Sequence, residues 1–537
     1  MTHHPLGVIT DSTAMQTTDE SSCAEEPPPG GTATSLFSEL KEAVLRPKPV
    51  LREVIEKHGK TSLYEYAKLY KRVNGSEAAQ KRQQEFLSTF GAEAERLLGK
   101  SVAESAVRQL QKYPSLSTSD HHGPLVHPFF LNSNLLASAP CFEKADPLLQ
   151  NVIVLACGNV SLNNSSYPRG ILFQTEKDGA FVTHQFSLFP CSMRQSPVFG
   201  LRAYTRDDTG RMKKAIMEKS SKGDFSAEIA KSVIDVVEEV FESPEVLRSQ
   251  TYSDQLTIIN AALWKRYFGH DAHDAPNLLY MELESLVSRL LIDHHLGKKT
   301  TIDRMLFDPS YAATMRQHFD GIDYGFSIGE KRGTYLFWGL PQGAKYRMQL
   351  WQDGTDLRAD GGAFRIPLTA SAVQEALERK ELIPSTLLCY LVVSLYYGVK
   401  CMGGIFQINY LTKMKEAYLR MHTELGDEPN LRVAIDTETK ELYGDVALAY
   451  LGNSKGRMSP ATGIDLLLYG NNETWPVIRD SAKMITLEEG LDPMMPEFYR
   501  IIYPESQRDD RLLTVRSEDI AHTSGVAERL SPCAYVH

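Results

Sequence analysis

The stretch Ser117-Thr118-Ser119-Asp120-His121-His122-Gly123-Pro124-Leu125-Val126-His127-Pro128 gathers one carboxylate and three imidazoles into a short span. Gly123, Pro124 and Pro128 forbid a continuous helix, so the polar groups are expected on a loop. Imidazole titrates near neutrality and is the commonest transition-metal ligand. The pattern therefore makes Asp120, His121, His122 and His127 the candidate catalytic residues. His121, His122 and His127 are also a candidate ligand set for a divalent metal such as zinc, manganese or iron. A bound metal would lower the pKa of its water and permit hydrolysis. Without one, a histidine would act as general base while Asp120 orients it. The plainer account is that one histidine caps a helix or bonds a carbonyl while another is simply exposed.

A second polar run, Cys157-Gly158-Asn159-Val160-Ser161-Leu162-Asn163-Asn164-Ser165-Ser166-Tyr167-Pro168-Arg169-Gly170, directly follows an apolar strand. In open α/β sheets ligands collect beyond strand carboxyl ends. Asn159, Asn163 and Arg169 are thus expected to bind substrate, with Asn132, Asn134 and Arg194 from neighbouring segments. Arg169 would clamp an anion with its planar fork. The competing account is an Asn/Ser-rich turn with Arg169 in a structural ion pair. Cys157, ending an apolar strand, reads as inert core before it reads as a nucleophile. Gly269-His270-Asp271-Ala272-His273-Asp274, with Glu282 and Glu284 downstream, offers further ligands but equally reads as a polar helix-helix turn. Asp293-His294-His295 is explained by favourable histidine placement at a helix C-terminus. Gly325 to Thr334 lacks the spacing of a phosphate loop.

The elements that must carry these loops follow from periodicity. Asn151 to Cys157 is a near-continuous β-branched and apolar run, as a strand covered on both faces requires. Ile171 to Thr175 and Ala180 to Phe189 flank Asp178-Gly179, whose tolerance of positive φ marks a hairpin. Helical periodicity occupies Ser35 to Tyr113, with cap spacing at Ser62/Glu65 and Ser101/Glu104. It returns from Arg211 to His295, with Leu279, Leu283, Leu286 and Leu290 in one stripe. Residues 333–369 read as strand-rich, 370–424 as helical with breaks at Gly398 and Gly403-Gly404, and Ile464 to Tyr469 as a short strand. The fold class is mixed α/β (α+β): a helical N-terminal region, then a mixed β-sheet core with flanking helices. The organisation runs as a disordered tail (1–33), a helical domain (34–114) and a mixed α/β domain with the candidate site (115–330). A second α+β region (331–510) and a C-terminal tail (511–537) complete it.

The 537 residues, 42% hydrophobic and 23% charged, match ordinary globular usage. A net charge of −10 argues against nucleic acid as a partner. Seven scattered cysteines contain no C-x-x-C pair and fit a reducing compartment. Leu387 to Val399 is too short an apolar run to cross a bilayer, and the N-terminus lacks a basic region followed by an apolar one. A cytoplasmic location without membrane association is expected. The reading that joins these observations is an enzyme acting on a small polar or anionic substrate, by metal-dependent hydrolysis or histidine acid–base chemistry. The alternatives are a non-catalytic ligand-binding or scaffold protein, and a nucleotide-using transferase or ligase.

Overall fold

The computed structural model describes residues 33–70, 77–143, 146–163, 170–517, 519–520 and 525–536. Arg169 and nearly all of the expected N-terminal tail therefore lie outside the described residues. The molecule is mixed α/β, as its periodicity predicts, with more helix than strand.

The run Asn151–Ala156 forms β2, the middle of a parallel sheet. Its neighbours are β1 (Ser115–Ser117) and, beyond the hairpin strands β3 (Gly170–Lys177) and β4 (Ala180–Ser187), β5 (Asn277–Glu282). The fourth member, β6 (Lys400–Met402), pairs with the far side of β1, so the order is β6-β1-β2-β5 with every pair parallel. Val152, Val154 and Ala156 point with Leu278 and Tyr280 into one apolar cluster, whereas Ile153 and Leu155 point with Leu279 and Met281 into another. This two-sided burial is why the run lacks alternation. Each such Val, Leu or Ile contributes about 1.5–3 kcal/mol by leaving water.

Helices cover both faces: α1 (Gln80–Leu98), α2 (Lys100–Lys112), α3 (Pro128–Ser138), α4 (Tyr252–Tyr267) and α5 (Leu283–Leu290). The first cluster holds the apolar residues of α3 and α4, the second those of α1, α2 and α5. A further long helix, α6 (Gln407–Leu425), follows β6. Among the described residues no helix is long and apolar enough to cross a membrane.

Local signals hold where the physics is local. Asp178 and Gly179 take φ of 55° and 79°, joining β3 to β4 through the full register Gly170↔Ser187 to Lys177↔Ala180. The Ser62 hydroxyl accepts from Glu65 N at 3.3 Å, capping Leu63–Leu69. Ser101, by contrast, lies inside α2, whose cap position is Gly99.

Four differences come from non-local pairing or a stronger competing cap. Asn277–Glu282 is a strand inside what reads as a helical stretch, because β2 supplies its hydrogen-bond partners and Leu279 falls at helix spacing from α5 by coincidence. The break between Gly398 and Gly403 contains β6. Ile464 to Tyr469 is helical, since Thr462 and Asp465 form a capping box at the start of Gly463–Tyr469. Near the end, where fraying is expected, Ala534–Tyr535 pairs in parallel with Leu451 and Gly452 between buried Cys533 and Val536. The short strands of 333–369 belong to small sheets separate from the parallel one.

One irregularity bears on the site. Ser117 pairs with Val154, but His121 pairs with Cys157, so four steps along one segment oppose three along the other. The extra residue is a bulge, a device that re-aims side chains at a strand end.

Candidate functional site

In chain order the sheet reads third, second, first, fourth. The connection from β5 to β6 crosses to the other side of β1, so the switch point lies between the carboxyl ends of β1 and β6, where such sheets bind ligands. The chain leaving β1 is Thr118-Ser119-Asp120-His121, and that leaving β6 is Gly403-Gly404-Ile405-Phe406 before α6. Gln407 in the first turn of α6 donates Nε2 to Thr118 Oγ1 at 2.6 Å, tying the two loops together.

Asp120, re-aimed by the bulge, is fully buried. Ser119 donates its hydroxyl to Oδ1 at 2.8 Å and Asn134 of α3 donates Nδ2 to Oδ2 at 2.7 Å. Asn134 is itself held, accepting from the Tyr443 hydroxyl at 2.9 Å and donating to Phe130 O at 2.8 Å. Burial pushes the Asp120 carboxyl up to about 6 despite the hydrogen bonds from Ser119 and Asn134, and the negative charge of Asp445 adds to the rise.

Asp445 is half-buried and holds a left-handed φ of 69°. Its Oδ2 accepts from Ile405 N at 2.8 Å, just ahead of α6, and burial lifts this carboxyl also to about 6. The preceding Gly444 runs so close to the first loop that a Cβ there would sit 3.3 Å from both Ser119 Oγ and Ser133 Oγ. Glu497, half-buried, is pushed up to about 7 by burial and by the facing Asp445. Asp120 bonds the half-buried Ser119, Asp445 acts on Asp120 by its charge, and Glu497 feels Asp445 in turn, so three carboxyl groups raised by burial are electrostatically linked at this end of the sheet. Groups with that acidity can accept or release a proton at working pH.

The three histidines face different surroundings. The ring of His121 meets Phe130 edge-on at 5.5 Å, and its carbonyl accepts from the Tyr280 hydroxyl at 3.0 Å. His127 caps α3, accepting from Phe129 N at 3.4 Å, with its ring 4.8 Å from Phe129 and 5.9 Å from Phe130; burial holds it down to about 3. His121 and His127 therefore share Phe130. His122 turns the other way, fully buried, onto Ser253 of α4 and the ring of Tyr280. Among the described residues no three His, Cys, Asp or Glu side chains converge as a metal set requires.

The other sequence candidates disperse. Asn132 donates to Pro128 O at 2.7 Å and accepts from Leu448 N at 3.0 Å and Ala449 N at 2.7 Å, which joins α3 to a distant segment. Asn159 is buried, with Oδ1 accepting from Arg347 Nη1 at 2.7 Å. Asn163 is half-buried and Arg194 is exposed, following the short turn Cys191–Met193.

Asp445 and Glu497 carry no local signal, since each is marked only by the tertiary neighbours that bury it. Glu284 is a further carboxylate whose role the sequence does not display. Its Oε2 accepts from Gly158 N at 2.7 Å, and its Oε1 accepts from Asn159 N at 3.1 Å and from the Cys157 thiol at 3.2 Å. It thereby shapes the loop leaving β2, and burial with the neighbouring Glu282 charge raises it to about 7. Cys157 is accordingly a poor thiolate, its acidity pushed up by burial and by Glu284.

Comparison with family models and with curated proteins gives no match for this chain.

Proposed function

We propose that the protein is an enzyme performing acid–base chemistry on a small polar substrate at the switch point between β1 and β6. The observation that carries the reading is the pair of carboxyl groups raised by burial to acidities near 6, Asp120 bonded to Ser119 and Asp445 following Gly444, which packs against Ser119. In this reading Asp445, the more open of the two, exchanges protons with substrate, and Asp120 acts through Ser119, to which it is bonded. Metal-dependent hydrolysis on the histidine loop is a variant of the same proposal. Metal analysis of chelator-washed protein beside a His121→Ala/His122→Ala variant checks it.

The test is turnover of a panel of chromogenic esters, amides, phosphates and glycosides by the full chain. A positioned acid or base contributes about 10²–10⁴-fold, so Asp445→Asn should lose at least about 10²-fold with an unchanged circular dichroism spectrum. No turnover across the panel, or turnover indifferent to both Asp120→Asn and Asp445→Asn, favours a non-catalytic ligand-binding or scaffold protein.

A nucleotide-using transferase or ligase is the second reading. It is favoured by the strand order, which matches the first four strands of doubly wound dinucleotide-binding sheets. A rise in melting temperature with ATP or NAD, absent in Asp445→Lys, would support it.

A further inference from the structure

The hairpin of β3 and β4 is a two-stranded sheet, so each strand has an outer edge that the other does not cover. In an antiparallel pair, residues that exchange backbone hydrogen bonds alternate with residues whose N–H and C=O point away from the partner strand. On β3 the outward residues are identified by what they bind. Thr462 donates its hydroxyl to Leu172 O at 3.0 Å, Asp465 Oδ1 accepts from Gln174 N at 2.7 Å, and the Tyr469 hydroxyl donates to Gln174 O at 2.8 Å. Helix Gly463–Tyr469 and its cap residue thus seal this edge with side chains.

The register puts Thr183 opposite Gln174 and Gln185 opposite Leu172, so these two also turn their backbone groups outward, on the far side of the hairpin. The same alternation adds Phe181 and Ser187 to the outward set. Among the described residues, none of their N–H or C=O groups has a hydrogen-bond partner. Thr183 and Gln185 are exposed, Phe181 and Ser187 half-buried. Edge strands are normally guarded against pairing with another chain by lysine, proline or a bulge. β4 has none of these: it contains no Lys, Arg, Asp, Glu or Pro, and its pairing runs unbroken from Gly170↔Ser187 to Lys177↔Ala180. Its one histidine, His184, is buried against Phe173 and Phe225.

Two features of the edge select a second copy of this chain as its occupant. The outward residues lie evenly about His184. A two-fold axis there sets Phe181 against Ser187 of the second copy and Thr183 against Gln185 of the second copy, leaving no outward group bare. The uncharged strand also lets two chains of net charge −10 meet without like charges directly opposed. We propose that β4 is a dimerisation edge, joining two copies antiparallel into one continuous sheet through a self-complementary two-fold contact. The interface does not depend on the acid–base reading of Asp120 and Asp445.

Sedimentation velocity of the full chain over a concentration series, with hydrogen exchange at each concentration, tests it. The expected result is a monomer–dimer equilibrium in which the amides of Phe181, Thr183, Gln185 and Ser187 slow at least tenfold as dimer forms. Those of Val182 and His184, already bonded to β3, should not change. Thr183→Lys alters an exposed side chain, brings an ammonium group from each copy close to the axis, and should weaken the dimer at least tenfold. Thr183→Pro removes an N–H that the monomer leaves unused, which an edge strand tolerates, and should abolish the dimer. The proposal is overturned if the chain stays monomeric throughout the series, or if a dimer forms while the outward amides still exchange freely. It is overturned too if those amides are protected equally at every concentration, since a segment of the same chain then covers the edge.

Discussion

Asn134 Nδ2 and Asp120 Oδ2 meet at 2.7 Å, so that a residue of α3 fixes the carboxyl group at the end of β1. The amide oxygen of the same side chain is held by Tyr443, which makes Asn134 the link between the β1 loop and the segment that carries Asp445.

Removing that link should be felt in stability before it is felt anywhere else. Asn134→Ala leaves a fully buried carboxyl short of one donor and strands the Tyr443 hydroxyl, at a cost of about 1–3 kcal/mol for each group left unpaired. Urea denaturation measures it. A loss below about 0.5 kcal/mol would show that water or repacking replaces the amide.

The pH dependence of Asp120 has a definite sign. Its folded-state value of about 6 lies above the unfolded value of roughly 3.9. Between those limits the native state keeps a proton that the unfolded chain releases, so stability falls as pH rises from about 4 to about 6 and is level above. At about 1.4 kcal/mol per unit, the loss is on the order of 3 kcal/mol. Asp120→Asn lacks this titration, so from pH 4 to pH 7 its stability should improve relative to the parent by up to that amount. Parallel stability profiles for the two proteins would contradict the assignment.

Glu284 should matter to the β2 loop rather than to proton transfer at the switch point. In Glu284→Ala the N–H groups of Gly158 and Asn159 lose their acceptor, each at about 1–3 kcal/mol, whereas Glu284→Gln keeps one oxygen. Hydrogen exchange at those two amides should accelerate strongly in the alanine variant and less in the glutamine variant. Unchanged protection in both would mean the carboxylate is dispensable to the loop.

Much of the scaffold was legible because its causes are local or strongly patterned. Asn151–Ala156 announces a doubly covered strand by lacking alternation, and Asp178-Gly179 announces its hairpin through positive φ. The loop after β1 was legible as a cluster of polar side chains, and the fold places Asp120 of that loop, buried, at the sheet's switch point. The residues around it were less legible. Asn132 and Asn159 read as ligand-binding amides, yet the backbone of Leu448 and Ala449 and the side chain of Arg347 take up their acceptor oxygens. Asp445 and Glu497 could not be read at all, because a carboxylate's acidity depends on what buries it.

By itself, then, the sequence determined the pieces whose energy is settled within a few residues: caps, tight turns, apolar runs and the proline-bounded histidine loop. The tertiary structure decided everything that needs a distant partner. Asn277–Glu282 is a strand only because β2 offers its backbone, and Asp120 feels the charge of Asp445 only because β6 docks beside β1. Hydrogen-bond pairing between strands and desolvation of charge are both set by the surroundings a residue reaches after folding, and no short window of sequence contains them.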